Sequence, residues 1–204
     1  MLPGFDFAEF VRTYGPSIGY VLLFSIVFAE SCLVFFLPGD SLLFTAGVLS
    51  SLGFLNLWVC VVGVTAAAVL GNGLGYWIGY RVGRRLFQNP RSRLFRPEHL
   101  ARAEAFYEKH GGKTIVLARF VPVVRTFAPI VAGMGSMTYR QFVAYNLVGG
   151  LLWVVGMCGG GYLFGQILPA DQVDKYLLPV IAAIVVISLI PAAVHFLQER
   201  RSST

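Results

Sequence analysis

Apolar runs dominate this sequence, and their lengths decide what the chain can fold into. Residues 57–80 and 141–165 are each long enough to cross the roughly 30 Å hydrocarbon core of a bilayer as a helix. Hydrophobic residues make up 56% of the chain, charged residues only 13%, and the mean hydropathy is +0.71. A soluble domain carries about 25% charged residues, so too little polar surface remains for a water-soluble globule. The sequence predicts one all-α, multi-pass membrane domain over residues 1–204.

Turn residues divide the first apolar region into short segments. Residues 17–36 are apolar apart from Glu30, and the turn signal Pro38-Gly39 follows them. The next segment, 41–50, corresponds to about 15 Å of helix, half of a ~30 Å bilayer core. We interpret it as one arm of a re-entrant hairpin that Pro38 and Gly39 shape. Alternatively, residues 17–36 cross the bilayer fully, which places the N-terminus inside.

A similar broken element occurs in the second half of the chain. Residues 114–135 are apolar, but Pro122 and Pro129 interrupt them and Gly133 closes them. Each arm is again about half a membrane thickness. These residues predict a second re-entrant hairpin.

Residues 5–14 predict a short amphipathic helix on the membrane surface, and a second surface helix is predicted to begin at Pro97. Surface helix, broken hairpin and span therefore occur twice, in a first repeat over 5–80 and a second over 97–165. Residues 177–197 add a C-terminal span. Two opposed re-entrant hairpins with three to four spanning helices form an inverted repeat, which is a transporter architecture. Glycines recur every fourth residue from Gly71 to Gly83, which predicts that a neighbouring helix approaches closely.

Positive charge is concentrated in one connector. Nine of the sixteen Lys and Arg residues lie in 81–113, and the tail at 198–204 is also basic. The positive-inside rule places both segments on the cytoplasmic side. This placement explains the net charge of +6 better than nucleic-acid binding does.

Four ionisable residues lie inside the broken elements. Glu30 and Asp40 belong to the first element, and Arg119 and Arg125 belong to the second. Each charge costs about 2.5–3.5 kcal/mol at a helix centre, so two acids and two bases favour mutual pairing. Arginines at these positions suit an anionic phosphate headgroup. The acids suit proton exchange, because burial favours their neutral form whereas a neighbouring arginine favours the charged form.

A purely structural role is the alternative for these charges. Intramembrane ionisable residues are functional by default, which favours transport over a structural ion-pair network. Asp40 alone is equally well explained as a helix cap in the Pro-Gly-Asp turn.

The remaining polar residues give weaker signals. Asn72 and Asn146 lie in predicted spans, where such residues line a cavity or, more often, make one interhelical hydrogen bond. Cys32, Cys60 and Cys158 lie in apolar runs without metal-ligand spacing. Neither a Ser/His/Asp set nor a metal pair is visible. We therefore expect no enzyme activity, no metal and no cofactor.

Three stretches resemble the DedA family of bacterial membrane proteins, whose members are also called VTT-domain proteins. They are FLPGDSLLFTAG at 36–47, IGYRVG at 78–83, and YEKHGGKTIVLARFVPVVRTFAPIVAGMGSM at 107–137. The resemblance covers nearly the whole chain. It implies an inner-membrane protein with two opposed re-entrant hairpins. It also implies lipid translocation, either undecaprenyl phosphate recycling or phospholipid flipping, that depends on the proton motive force.

The resemblance also implies which residues take part in lipid translocation. The acids of the family correspond to Glu30 and Asp40, and its arginines correspond to Arg119 and Arg125. Asn72 departs from the family pattern, because some members have an acidic residue at this position. We therefore expect a proton-linked lipid carrier whose partners are a polyprenyl phosphate or phospholipid and protons. A proton-coupled ion or small-solute antiporter is the alternative, and action as a homodimer stays open.

Overall fold

The computed structural model describes residues 7–32, 39–82, 111–119 and 122–167, together with Pro179. Every regular element in these ranges is helical, which confirms the predicted all-α class. The helices are α1 Phe7–Tyr14, α2 Pro16–Cys32, α3 Gly39–Ser51, α4 Leu57–Val82, α5 Thr114–Ala118, α6 Pro122–Val131 and α7 Tyr139–Ile167. A 3-10 turn at Gly111–Lys113 precedes α5, and a π-helical turn at Ala132–Ser136 follows α6.

Two of these helices, α4 and α7, are long and apolar enough to cross a membrane. They have 26 and 29 residues, with mean hydropathies of 1.9 and 1.7. At about 1.5 Å per residue, both exceed the roughly 30 Å core of a bilayer. They confirm that the predicted spans at 57–80 and 141–165 form helices.

Several predicted features lie outside the described residues. They are the turn residue Pro38, residues 83–110 of the basic connector, the C-terminal span at 177–197 apart from Pro179, and the tail at 198–204.

Two compact units make up the chain. The first comprises Met1–Val27, Phe36–Ala66 and Leu152–Thr204, and the second comprises Phe28–Phe35 and Ala67–Leu151. This division differs from the two repeats that the sequence predicts. The inverted repeat and the re-entrant path of the hairpins stay predictions.

In the first unit, α1 is the short amphipathic helix that the sequence predicts. Val11 is buried and packs so closely on Gly19 of α2 that a Cβ there would lie 2.7 Å from a Val11 methyl group. Tyr14, in the last turn of α1, is exposed. Gly15 joins α1 to α2 with a φ of 86°, a conformation that only glycine adopts readily.

The core helix of the first unit is α3, which is buried along nearly all of its length. A Cβ on Gly47 would clash with the backbone of Cys158, and one on Gly161 would clash with the backbone of Phe44. The backbones of α3 and α7 therefore touch at two glycines. With 13 residues, α3 is about 20 Å long, too short to cross a ~30 Å core.

In the second unit, the glycine stripe of α4 makes the close contacts that its spacing predicts. A Cβ on Gly71 would lie 2.6 Å from the carbonyl oxygen of Phe28 in α2. Gly75 faces Pro129, and a Cβ on Gly79 would clash with the backbone of Ile130.

The second broken element differs in detail from its prediction. Helix α5 ends at Ala118 and α6 begins at Pro122, one of the two prolines predicted to interrupt this segment. Pro129, however, lies inside α6 and does not end it. Proline has no N–H for the Arg125 carbonyl, and the helix widens into its π turn three residues later. Gly133 lies in that turn, where a Cβ would clash with the backbone of Tyr76.

Candidate functional site

Glu30 and Arg125 form an ion pair in the second unit. Glu30 lies in the last turn of α2, and Arg125 lies in the first turn of α6. Arg125 Nη2 donates to Glu30 Oε1. The Glu30 side chain is only 3% exposed and that of Arg125 18%. The predicted pairing of an acid on the first broken element with an arginine on the second is confirmed for these two residues.

Burial makes this ion pair sensitive to the loss of either partner. Removing one side of a buried pair leaves an uncompensated charge and costs about 3–5 kcal/mol. Replacing both sides with neutral groups costs far less. The pair therefore contributes to stability only while both groups are charged and in contact.

Arg119 occupies a different environment in the same unit. It follows α5 directly and is buried, with 7% of its surface exposed. Its Nη2 donates to the side-chain oxygen of Asn146 at 2.7 Å and approaches the Asn146 carbonyl oxygen at 3.4 Å. The guanidinium group therefore binds a neutral amide on α7.

Asn146 is the centre of a small amide cluster. Its side-chain nitrogen donates to the carbonyl oxygen of Val69 at 3.0 Å, and its oxygen also accepts from Asn72 Nδ2 at 2.9 Å. In the flipped orientation, the Asn72 amide would donate to the Ser31 carbonyl oxygen at 2.9 Å and accept from Arg119 at 3.1 Å. In either orientation, the Asn72 side chain lies close to Arg119 and to Ser31, the residue that follows Glu30.

Two glycines of α7 provide the space for Arg119. A Cβ on Gly150 would lie 3.3 Å from Arg119 Nη2, and one on Gly149 would lie 3.4 Å from its Nε. Both distances are tighter than ordinary carbon contacts. The guanidinium group reaches Asn146 because α7 has no side chains at these two positions.

Asp40 belongs to the first unit, in the first turn of α3. Its Oδ1 accepts a hydrogen bond of 2.8 Å from the indole N–H of Trp153 in α7. Trp153 is buried and Asp40 is half-buried. The carboxylate at the start of α3 is thus bonded to a second helix, beyond the capping role that the turn alone suggests. Pairing of Asp40 with an arginine stays a prediction.

Sequence reasoning did not place Asn72, Asn146 or Trp153 at the site. The interhelical hydrogen bond that it expected of the two asparagines is confirmed, because Asn72 donates to Asn146. The two asparagines carry a signal, since both are amides inside apolar helices, but their spacing of 74 positions hides their contact. Trp153 carries none, because an indole in a membrane helix is ordinary. Among the described residues, no group of three His, Cys, Asp or Glu side chains is placed to hold a metal ion.

Long apolar helices with buried charges define an all-helical membrane protein. The family model for the VTT domain matches residues 37–163, more than half of the chain. Protein DedA of Escherichia coli strain K12 is 50% identical over 200 residues, covering 96% of this chain and 90% of its own length. The chain therefore belongs to the VTT-domain family, also called the DedA family.

Two further relatives are similar over most of the chain. An uncharacterized membrane protein of Mycobacterium leprae is 42% identical over 180 residues, 88% of this chain and 80% of its own. The inner membrane protein YqjA of Escherichia coli strain K12 is 37% identical over 155 residues, 72% of this chain and 68% of its own. No solved structure matches the chain significantly.

Proposed function

We propose that this protein carries a phosphate-bearing lipid across the bilayer and exchanges protons as it does so. The main support is that the second unit holds a buried Arg119 on a neutral amide and a half-buried Arg125 on Glu30. A phosphate monoester carries about −1.5 to −2 charges at neutral pH, which two guanidinium groups can balance. Each planar guanidinium group can donate two parallel hydrogen bonds to phosphate oxygens.

The ion pair suggests how proton exchange and lipid binding are linked. While Glu30 is charged, it holds Arg125. When Glu30 gains a proton, the pair loses its attraction and Arg125 can donate to phosphate oxygens instead. When Glu30 loses the proton, the carboxylate competes with the phosphate and releases it. Phosphate and carboxylate thus alternate on one guanidinium group.

Asp40 is the second proton site in this proposal. It lies at the start of α3 with its carboxylate on Trp153, so a change in its charge acts on the contact between α3 and α7. The two broken elements would be opposed re-entrant hairpins of an inverted repeat, an architecture that places substrate sites near the bilayer midplane.

The lipid would be undecaprenyl phosphate or a phospholipid, and the proton motive force would drive its movement. A relative is named as an inner membrane protein, and we place this protein in the same membrane. The basic segment 81–113 and the C-terminus would face the cytoplasm.

Purified protein in liposomes tests the proposal. NBD-labelled polyprenyl phosphate and NBD-labelled phosphatidic acid serve as probes, and dithionite added outside quenches only outer-leaflet label. We expect wild-type protein to speed the loss of protected label when a pH gradient is imposed. Arg119→Ala and Arg125→Ala should each slow it about tenfold or more, because charge-assisted hydrogen bonds contribute about 1.5–3 kcal/mol.

Arg12→Ala is the matched control, since Arg12 is an exposed arginine on α1. Correctly folded Arg119→Ala and Arg125→Ala variants that still move both lipids at the wild-type rate would contradict the proposal. Proton-coupled ion or solute flux in liposomes without phosphate lipid, with no movement of either probe, would favour the antiporter instead.

A further inference from the structure

A groove opens in the second unit between the later part of α4 and the first part of α7. Its volume is about 710 Å³, within the range of about 300–1,000 Å³ that ligand sites occupy. On α4 it is lined by Leu70, Gly73 and Trp77, and on α7 by Tyr139, Phe142 and Asn146. All other lining side chains are aliphatic or aromatic.

One side of this groove is open at the protein surface. Leu70 is 63% exposed, Trp77 54% and Tyr139 62%. On helices that cross a bilayer, such apolar side chains face lipid. The groove is therefore accessible sideways from the surrounding leaflet.

The inner end of the groove is polar and buried. Asn146 lies there with no exposed surface, and its side-chain oxygen accepts from Arg119 at 2.7 Å. One surface thus leads from the lipid-facing side of α4 to the amide that binds a buried arginine. Imperfect packing between two membrane helices does not explain why the groove ends at a buried amide that binds an arginine.

Gly73 keeps the groove open. A Cβ there would meet no atom within 4 Å, whereas Gly71 and Gly79 of the same helix pack against backbone. Gly73 therefore plays no part in the contacts of the glycine stripe, and its missing side chain leaves space that a ligand can occupy.

We propose that this groove is a hydrocarbon-chain site, which holds one chain of the lipid whose phosphate Arg119 and Arg125 bind. This inference rests on the proposed function and adds to it the place where the lipid enters and where its chain lies. Aromatic and aliphatic walls hold a hydrocarbon chain through many close dispersion contacts. The adjoining arginine gives the site a preference for lipids that carry a phosphate.

Photolabelling in nanodiscs tests this proposal without requiring transport. The probe is phosphatidic acid with a diazirine near the end of one acyl chain, and the reference probe is diacylglycerol with the same chain. Peptide mapping locates the adducts. We expect phosphatidic acid to label residues 70–80 and 139–146 more strongly than diacylglycerol does.

Gly73→Phe should fill the groove and lower this labelling about tenfold, because the Phe side chain takes the space of the acyl chain and removes its dispersion contacts with the walls. Gly156→Phe is the matched control, because Gly156 is exposed on α7, has open space around it and lies outside the groove. Leu70→Trp narrows the groove from an exposed position and gives a second test if Gly73→Phe does not fold.

Three results would overturn the proposal. Equal labelling by diacylglycerol would indicate only the ordinary lipid coat. Unchanged labelling in folded Gly73→Phe and Leu70→Trp would show that the chain lies elsewhere, and labelling that is lost when each nanodisc holds two protein copies instead of one would indicate a second copy in the groove. Failure of the proposed function looks different. In that case the groove is labelled and Gly73→Phe blocks labelling, yet wild-type protein moves no lipid in liposomes.

Discussion

Arg125 of α6 donates to the carboxylate of Glu30 in α2, a residue 95 positions earlier in the chain. Both side chains are largely withdrawn from the surface, at 18% and 3% exposure. The contact joins the end of the first helix of one broken element to the second helix of the other. It is therefore the place where a change in charge acts on both elements together.

Removing one partner of this pair should destabilise the protein strongly. We expect Arg125→Ala to lower the free energy of unfolding by about 3–5 kcal/mol, because Glu30 is left as an uncompensated buried charge. The double variant Glu30→Gln, Arg125→Gln should recover most of that loss. Unfolding in mixed SDS and mild-detergent micelles, followed by circular dichroism, measures both. Equal destabilisation by the single and double variants would contradict the paired role.

The amide cluster around Arg119 gives a graded prediction. Asn146→Ala should lower the free energy of unfolding by about 1.5–3 kcal/mol, because it removes a hydrogen bond to a charged group. Asn72→Ala should cost about 1 kcal/mol, the usual contribution of one neutral hydrogen bond. The same unfolding measurement compares them. If Asn72→Ala proves the more damaging variant, Asn146 is not the centre of the cluster.

The bond between Asp40 and Trp153 can be followed by fluorescence. Trp58 and Trp77 are exposed, so Trp58→Phe and Trp77→Phe leave Trp153 as the single buried indole. In this background, Asp40→Leu should shift the emission of Trp153 to shorter wavelength, because the indole N–H loses a polar partner. Asp40→Asn keeps an oxygen acceptor and should shift it less. Identical spectra for the two variants would argue against the bond.

Two glycines of α4 should respond in opposite ways to the same substitution. Gly79→Ala places a Cβ against the backbone of Ile130 and should cost about 1–3 kcal/mol, as overpacking does. Gly73→Ala meets nothing within 4 Å and should stabilise the helix by up to about 1 kcal/mol, the propensity difference between the residues. Thermal unfolding in detergent distinguishes them. If Gly79→Ala proves as stable as Gly73→Ala, α4 does not pack on α6 at Gly79.

The sequence predicts the parts of this fold that depend on local pattern. Apolar runs predict α4 and α7, the four-residue glycine spacing predicts close packing along α4, and Pro122 marks the start of α6. The cost of charge in lipid predicts that Glu30 is paired with an arginine. These inferences need only neighbours in the chain or a general energy balance.

Long-range geometry is what the sequence does not predict. The choice of Arg125 over Arg119 as the partner of Glu30 depends on how α2 meets α6. The bond from Asn146 to Arg119 depends on Gly149 and Gly150 leaving space on α7. Pro129 shows the same limit, because helix-breaking chemistry predicts an end whereas the helix continues through it.

The long interval between Glu30 and Arg125 has a consequence for how the protein is made. A ribosome adds about 5–20 residues per second, so roughly 5 to 20 seconds pass between the two. If α2 enters the bilayer during synthesis, its carboxyl group arrives before any arginine exists to meet it. A charged acid there costs about 2.5–3.5 kcal/mol while it has no partner. That cost is offset only when the second broken element arrives with Arg125, so the ion pair is a late event of assembly.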